Sequence, residues 1–181
     1  MKLKNYFLLF FVGTILPVCS QTSIEAKKLL ELASNKMESY ENIEFEFSYE
    51  LNNRLEQINQ ESFGEVTIAN EKYKFKFLDA IQLFDGKKLY TIVPENEEII
   101  ITEAEEEDDF GINPIELLHF YKEGYEYNWD ISQRIKGKNI QFVKLIPTQE
   151  NVEMKFLLVG IDTLQNHLYK LIEVGNNGTV T

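Results

Sequence analysis

Ile81-Gln82-Leu83-Phe84-Asp85-Gly86-Lys87-Lys88-Leu89-Tyr90-Thr91-Ile92-Val93-Pro94 reads as two strands joined at Asp85-Gly86. Ile81 and Leu83 alternate with polar or small neighbours before the turn, and Tyr90 and Ile92 do so after it. A two-residue Asp-Gly connection suits a type I′ turn, in which both central residues need φ > 0. Pro94 ends the second strand, because it has no N–H to give a ladder. An antiparallel hairpin in mid-chain, with similar strands on both sides, points to one large meandering sheet.

The flanking sequence supplies those strands. Ile43, Phe45, Phe47, Tyr49 and Leu51 alternate with Glu44, Glu46, Ser48 and Glu50, so one face is large and apolar and the other polar. A polar loop over 52–61 leads to a strand over 63–69, and Tyr73, Phe75 and Phe77 alternate with Lys72, Lys74 and Lys76 in a third. Further strands are expected over 98–102, 125–131, 139–146, 154–161 and 168–174. Ahead of the first strand, Ala26, Leu29, Leu30, Ala33, Met37 and Tyr40 recur at helical spacing over 23–40, behind a capping box at Thr22-Ser23-Ile24-Glu25. Asn113-Pro114 opens a short second helix over 114–122, rich in Ile115, Leu117, Leu118 and Phe120. Asn176-Asn177-Gly178 signals one more hairpin, yet only Thr179, Val180 and Thr181 follow. The reading is either a stub at the sheet's edge or, preferably, a chain cut short. With no repeat and no Pro/Gly/Ser linker, residues 21–181 read as one domain.

The 181 residues carry a net charge of −12 and one Cys. Lys2 and Lys4 followed by the apolar run 6–18 form a secretory leader, too short to span a bilayer comfortably, with cleavage expected near Ser20. Lipidation at Cys19 is the alternative, against which stands Val18 where a small residue is expected. Without residues 1–20 the chain has 16 basic and 30 acidic side chains, a net −14, and no Cys. A domain of about 160 residues without disulfides must rest on its core, burying roughly 70% of its extended surface. Such acidity argues against nucleic acid and anionic membrane surfaces as partners.

Catalytic signatures do not surface. His119 and His167 are the only imidazoles, and no nucleophile elbow, HExxH motif, phosphate loop or Cys-based metal site accompanies them. No catalytic group, cofactor or metal is therefore expected, and the chain does not read as an enzyme. The acidic run 103–109 lacks the spaced ligands of a calcium loop and reads as solvated. What remains is a broad aromatic face and two helices to cover it. Periodicity leaves open whether that face is a filled core or the wall of a ligand cavity.

The block Asp85-Gly86-Lys87-Lys88-Leu89-Tyr90, followed by Pro94 and later by Asn113-Pro114 with Leu117-Leu118, resembles the LolA-type outer-membrane lipoprotein carriers, nearest their Bacteroidetes-like branch. The leader, the helix, the first strand and the Gly64-led strand occur in that family's order. The resemblance implies an α+β fold: an unclosed antiparallel β-barrel covered by an N-terminal helix and a short lid helix. It also implies a monomeric periplasmic carrier that shields acyl chains of lipoproteins, taking them from an inner-membrane ABC-type complex to an outer-membrane acceptor. Carried onto this chain, the cavity candidates are Phe45, Phe47, Tyr49, Tyr73, Phe75, Phe77, Leu83, Tyr90, Ile92, Phe156 and Leu158, with Leu117 and Leu118 on the lid. Two departures stand out. Asn70-Glu71 occupies the place of the family's Arg-Pro pair, whose Arg latches the lid, and the family continues for several strands beyond residue 181. The alternative from another class is a periplasmic module of the same fold that senses a lipid or protein partner without transport.

Overall fold

In the computed structural model of the chain, residues 19–103, 113–115, 119, 121, 123–149 and 152–181 are described. Helix α1 (Cys19–Glu38) precedes strands β1 (Asn42–Asn53), β2 (Ile58–Ala69), β3 (Lys72–Phe77), β4 (Ala80–Phe84), β5 (Lys88–Val93) and β6 (Glu98–Glu103). Then come β7 (Tyr125–Ile135), β8 (Lys138–Pro147), β9 (Met154–Asp162), β10 (His167–Gly175) and β11 (Thr179–Val180). All pair antiparallel in one sheet of order β6-β5-β4-β3-β2-β1-β11-β10-β9-β8-β7, open between β6 and β7. The architecture is an unclosed half-barrel carrying a helix, as the family resemblance implies.

The two meanders, β1–β6 and β7–β10, meet at β11. The chain's end is thus no edge strand but the seam of the sheet: Asn52 and Asn53 pair with Val180 and Thr179 on one side, and Val174 with Val180 on the other. Beyond it, Glu173 and Thr181 exchange backbone hydrogen bonds of 2.9 and 3.0 Å. Asn53 is the buried polar side chain that secures this seam. Its Nδ2 donates to Thr179 Oγ1 at 3.0 Å, while its Oδ1 accepts the N–H groups of Leu55 and Glu56 at 3.0 and 3.2 Å. The expected polar loop 52–61 therefore shrinks to a turn at 54–57, because Asn53 satisfies the turn's donors and both strands run up to it.

Helix α1 buries Ala26, Leu29, Leu30 and Ala33 against Val143, Leu145, Leu157, Val159 and Ile161, with Tyr121 in the same cluster. Because α1 begins at Cys19, Thr22 and Glu25 stand inside it rather than forming its cap. Its last turn is closed by Ser39, whose N–H reaches Asn35 O and whose Oγ reaches Lys36 O.

Turn chemistry corrects the central hairpin by one residue. Asp85 N–H donates to Lys88 O at 3.1 Å, so the two-residue loop is Gly86-Lys87, and Gly86 has φ 95°. Gly at the first central position is the type II′ pattern. The Asp85 carboxylate takes both the Lys87 and Lys88 N–H groups at 2.8 Å. These bonds, Lys88's first, hold its carboxyl below the usual range. Two consecutive positive-φ residues do occur one hairpin earlier, at Leu78 (49°) and Asp79 (60°) between β3 and β4.

Candidate functional site

Side chains of paired residues in an antiparallel ladder share a face. On β1 through β5 the register therefore groups Phe45 with Val66 and Phe75, and Ile43 with Ile68, Tyr73 and Phe84. It also places Phe47 opposite Gly64 and Tyr49 opposite Ser62 on the same side. Their rings form a continuous aromatic wall. Phe47 stacks on Phe75 at 5.9 Å and meets Phe77 at 5.5 Å; Tyr49 meets Phe77 edge-on at 5.5 Å; Tyr73 meets Phe84 at 5.4 Å. Offset and tilted pairs of this kind are the favourable aromatic geometries.

Gly64 is what lets the wall close up. A Cβ there would lie 2.3 Å from Phe47 Cζ and 2.8 Å from Lys76 O. The Phe47 ring thus occupies the space above a bare backbone, which explains a glycine within a strand interior.

The wall and α1 lie on the same side of the sheet. Register through the seam links Asn52, Val180, Val174 and Phe156 on one face, leaving Asn53 and Leu51 with Leu157 and Val159 on the helix-bearing face. Ile115 and Tyr121 lie against one cluster each on that side. Asn113 Oδ1 accepts Ile115 N–H at 3.0 Å, closing a turn where the helix cap was expected, Pro114 is fully buried, and Ile115 packs on the aromatic wall. Tyr121 joins the α1 cluster, and Tyr127 Oη donates to its carbonyl at 2.7 Å. His119 Nδ1 stands 3.3 Å from Glu38 Oε1, beside the end of α1. Leu117 and Leu118, the expected lid leucines, lie outside the described residues, as do most of the expected helix 114–122 and all of the acidic run after Glu103. Asn70-Glu71, in the place of the family's latch, is the turn between β2 and β3, with Asn70 at φ 55°.

The expected cavity set divides in two. Phe45, Phe47, Tyr49, Tyr73, Phe75 and Phe77 are brought together on the helix-bearing face, where Phe75 is 5% exposed and Phe45, at 37%, is the open end of the wall. Leu83, Tyr90 and Ile92 are not part of it. Register pairs Leu83 with Lys74 and Tyr90, and Ile92 with Ile81, on the reverse face. The physical reason is that β4 and β5 carry apolar side chains on both sides: Ala80, Phe84 and Leu89, with the buried polar Gln82 and Thr91, face the wall instead. Alternation therefore fixed two faces without saying which one is buried. Phe156 and Leu158 also face away from α1, with Lys144 Nζ 4.2 Å from the Phe156 ring centre. The residues that sequence reasoning missed are Val66, Ile68, Phe84, Leu89 and Ile115, all in the wall or against it.

Around this wall the shifted titratable groups are peripheral. Burial pushes the Tyr125 and Tyr127 hydroxyls up, with Glu173 adding to the first and Glu123 and Glu31 to the second. For Asp162, burial works upward but is outweighed by the Leu164 and Gln165 N–H groups and by Lys138, leaving the carboxyl low. His167 shares a 2.8 Å hydrogen bond with Tyr40 Oη. Among the described residues no three His, Cys, Asp or Glu side chains gather as a metal site, and no helix is long and apolar enough to cross a membrane. What the described arrangement offers is a broad apolar surface.

No family profile matches the chain, and no curated protein matches it either. Solved structures of LolA-superfamily proteins are structural neighbours at low identity. An outer-membrane lipoprotein-sorting protein domain from Vibrio parahaemolyticus is 16% identical, over 86% of this chain and 75% of its own, with a TM-score of 0.44. A LolA superfamily protein from Nitrosomonas europaea is 13% identical, over 86% and 74%, at 0.39. The Pseudomonas aeruginosa MucA/MucB complex is matched at 11% identity and 0.42, over 86% of this chain and 54% of the matched one.

Proposed function

We propose that the protein binds the acyl chains of lipoproteins on its helix-bearing face and ferries them across the periplasm from the inner to the outer membrane. The observation that carries this reading is the continuous apolar wall Phe45–Phe47–Tyr49–Tyr73–Phe75–Phe77, which lies on the same side of the sheet as α1 but in a cluster separate from the helix's own, with Ile115 packed against it. A single acyl chain of about fifteen methylenes gains roughly 12 kcal/mol gross on leaving water, at about 0.8 kcal/mol each. Shielding it therefore needs dry surface and no catalytic group, so the proposal is of a carrier and not an enzyme. An inner-membrane ABC-type release complex would supply the cargo and an outer-membrane acceptor would take it, as the resemblance to lipoprotein carriers implies.

One observation favours a second reading. Val66, Ile68, Tyr73, Phe75, Phe77 and Leu89 are all buried, so cargo reaches them only if the packing around them opens. A module that senses a protein partner on its surface needs no such opening, and one structural neighbour is a complex of MucA with MucB.

The test is direct. The purified protein is mixed with a triacylated lipoprotein in detergent, the detergent is diluted away, and soluble complex is assayed. A stoichiometric complex that Phe45→Glu abolishes, with an unchanged circular dichroism spectrum, supports carriage. A folded protein that leaves the lipoprotein to precipitate overturns it in favour of the sensor.

A further inference from the structure

The reverse side of the sheet carries a surface that acyl binding does not use. Edge strand β6 reads Glu98-Ile99-Ile100-Ile101-Thr102-Glu103, and its isoleucines are 62%, 43% and 56% exposed in that order. Register extends two of them inward as apolar rows. Ile99 lies beside Ile92 and Ile81, and Ile101 beside Tyr90 and Leu83. Contiguous exposed apolar surface of this kind marks an interaction site. Edge strands are ordinarily blunted by central charges, proline or bulges. Among the described residues β6 pairs with β5 without a bulge, and its charges stand only at its two ends.

Those charges select the occupant. A second copy paired antiparallel over the full strand would set Glu98 against Glu103 at both ends, and like charges directly opposite are destabilising. A different strand, with a cation at each end and apolar residues between, turns both clashes into attractions. We propose that β6 is a strand-addition site for an extended segment of another protein, patterned basic–any–apolar–apolar–apolar–basic and running antiparallel to β6. Its backbone supplies the sheet bonds while alternate side chains read the surface. The apolar residues opposite Ile101 and Ile99 lengthen the two reverse-face rows, and the one opposite Ile100 turns to the other face. The first basic residue meets Glu103, whose 2.9 Å pair with Lys88 is solvent-exposed and weakly held, and the last meets Glu98.

The experiment uses a capped, fluorescein-labelled peptide, Lys-Thr-Val-Ile-Val-Lys, titrated with the full chain and followed by polarisation. Saturable binding is expected, weakened at least tenfold by Ile101→Lys and equally by proline in place of the peptide's central Ile. Glu98→Lys should weaken the parent peptide and recover binding when the peptide's last residue is Glu. Absence of saturable binding by the folded protein overturns the proposal, as does binding indifferent to the proline. A concentration-dependent dimer in sedimentation that Ile101→Lys dissolves would overturn it in favour of a second copy. None of these outcomes depends on the lipoprotein assay.

Discussion

Gly64→Ala is the sharpest perturbation of the aromatic wall. The added methyl would sit 2.3 and 2.4 Å from Phe47 Cζ and Cε1, and 2.8 Å from the carbonyl oxygen of Lys76. The ring must move by about 1 Å to restore ordinary contact, and overpacking of this kind costs about 1–3 kcal/mol. Moving it also spoils the Phe47 contacts with Phe75 and Phe77, each worth about 0.5–1.5 kcal/mol. The stiffer unfolded chain returns about 0.4–1 kcal/mol. The net expectation is a loss of about 2–3 kcal/mol, which at a urea slope of about 2 kcal/mol/M lowers the midpoint by about 1 M. Phe47→Ala provides the control. In the Gly64→Ala background it should cost about 1–2 kcal/mol less than in the parent, because the ring clash is gone, while the Lys76 oxygen keeps part of the penalty. Additive effects of the two substitutions, or a neutral Gly64→Ala, would refute the packing argued for this wall.

Three further outcomes check the account. Phe75→Ala should cost about 3–5 kcal/mol in urea unfolding, whereas Leu83→Ala on the reverse face should cost less than about 1; equal costs would mean the faces are misassigned. Asn53→Ala removes three hydrogen bonds at a residue only 3% exposed and should cost about 2–3 kcal/mol, with faster amide hydrogen exchange across the β11 seam than elsewhere. The Asp85 carboxyl is more acidic folded than unfolded, so its stabilisation is complete above about pH 4 and is lost as pH falls through its lower folded value. Asp85→Ala should therefore flatten the acid limb of the urea midpoint between pH 7 and 2, and parallel limbs would contradict the turn described.

The meander was legible because Phe45, Phe47 and Tyr49 alternate with polar residues, and because Tyr73, Phe75 and Phe77 alternate with lysines: burial follows the period throughout β3 and, except at Phe45, along β1. Where a strand is apolar on both sides, period alone is silent. Leu83, Tyr90 and Ile92 alternate as well as Phe84 and Leu89 do, and only the register with β3 assigns the faces. The hairpin at Asp85-Gly86 was found but mis-centred, since the Asp85 side chain replaces a backbone partner in closing the turn. Leu78-Asp79 gave no signal at all, because neither residue advertises the positive φ that a tight hairpin imposes. The seam at β11 was invisible for a different reason: two residues carry no period, and their pairing with β1 spans most of the chain.

The central claim is that an acyl chain lies on the helix-bearing face. A photoreactive benzophenone side chain placed at position 45 or at position 83 and irradiated with a lipoprotein in complex tests it most directly. Crosslinks to the acyl chain from position 45 and none from position 83 are what the wall predicts. Crosslinks from position 83 alone, or equal yields from both, would contradict it.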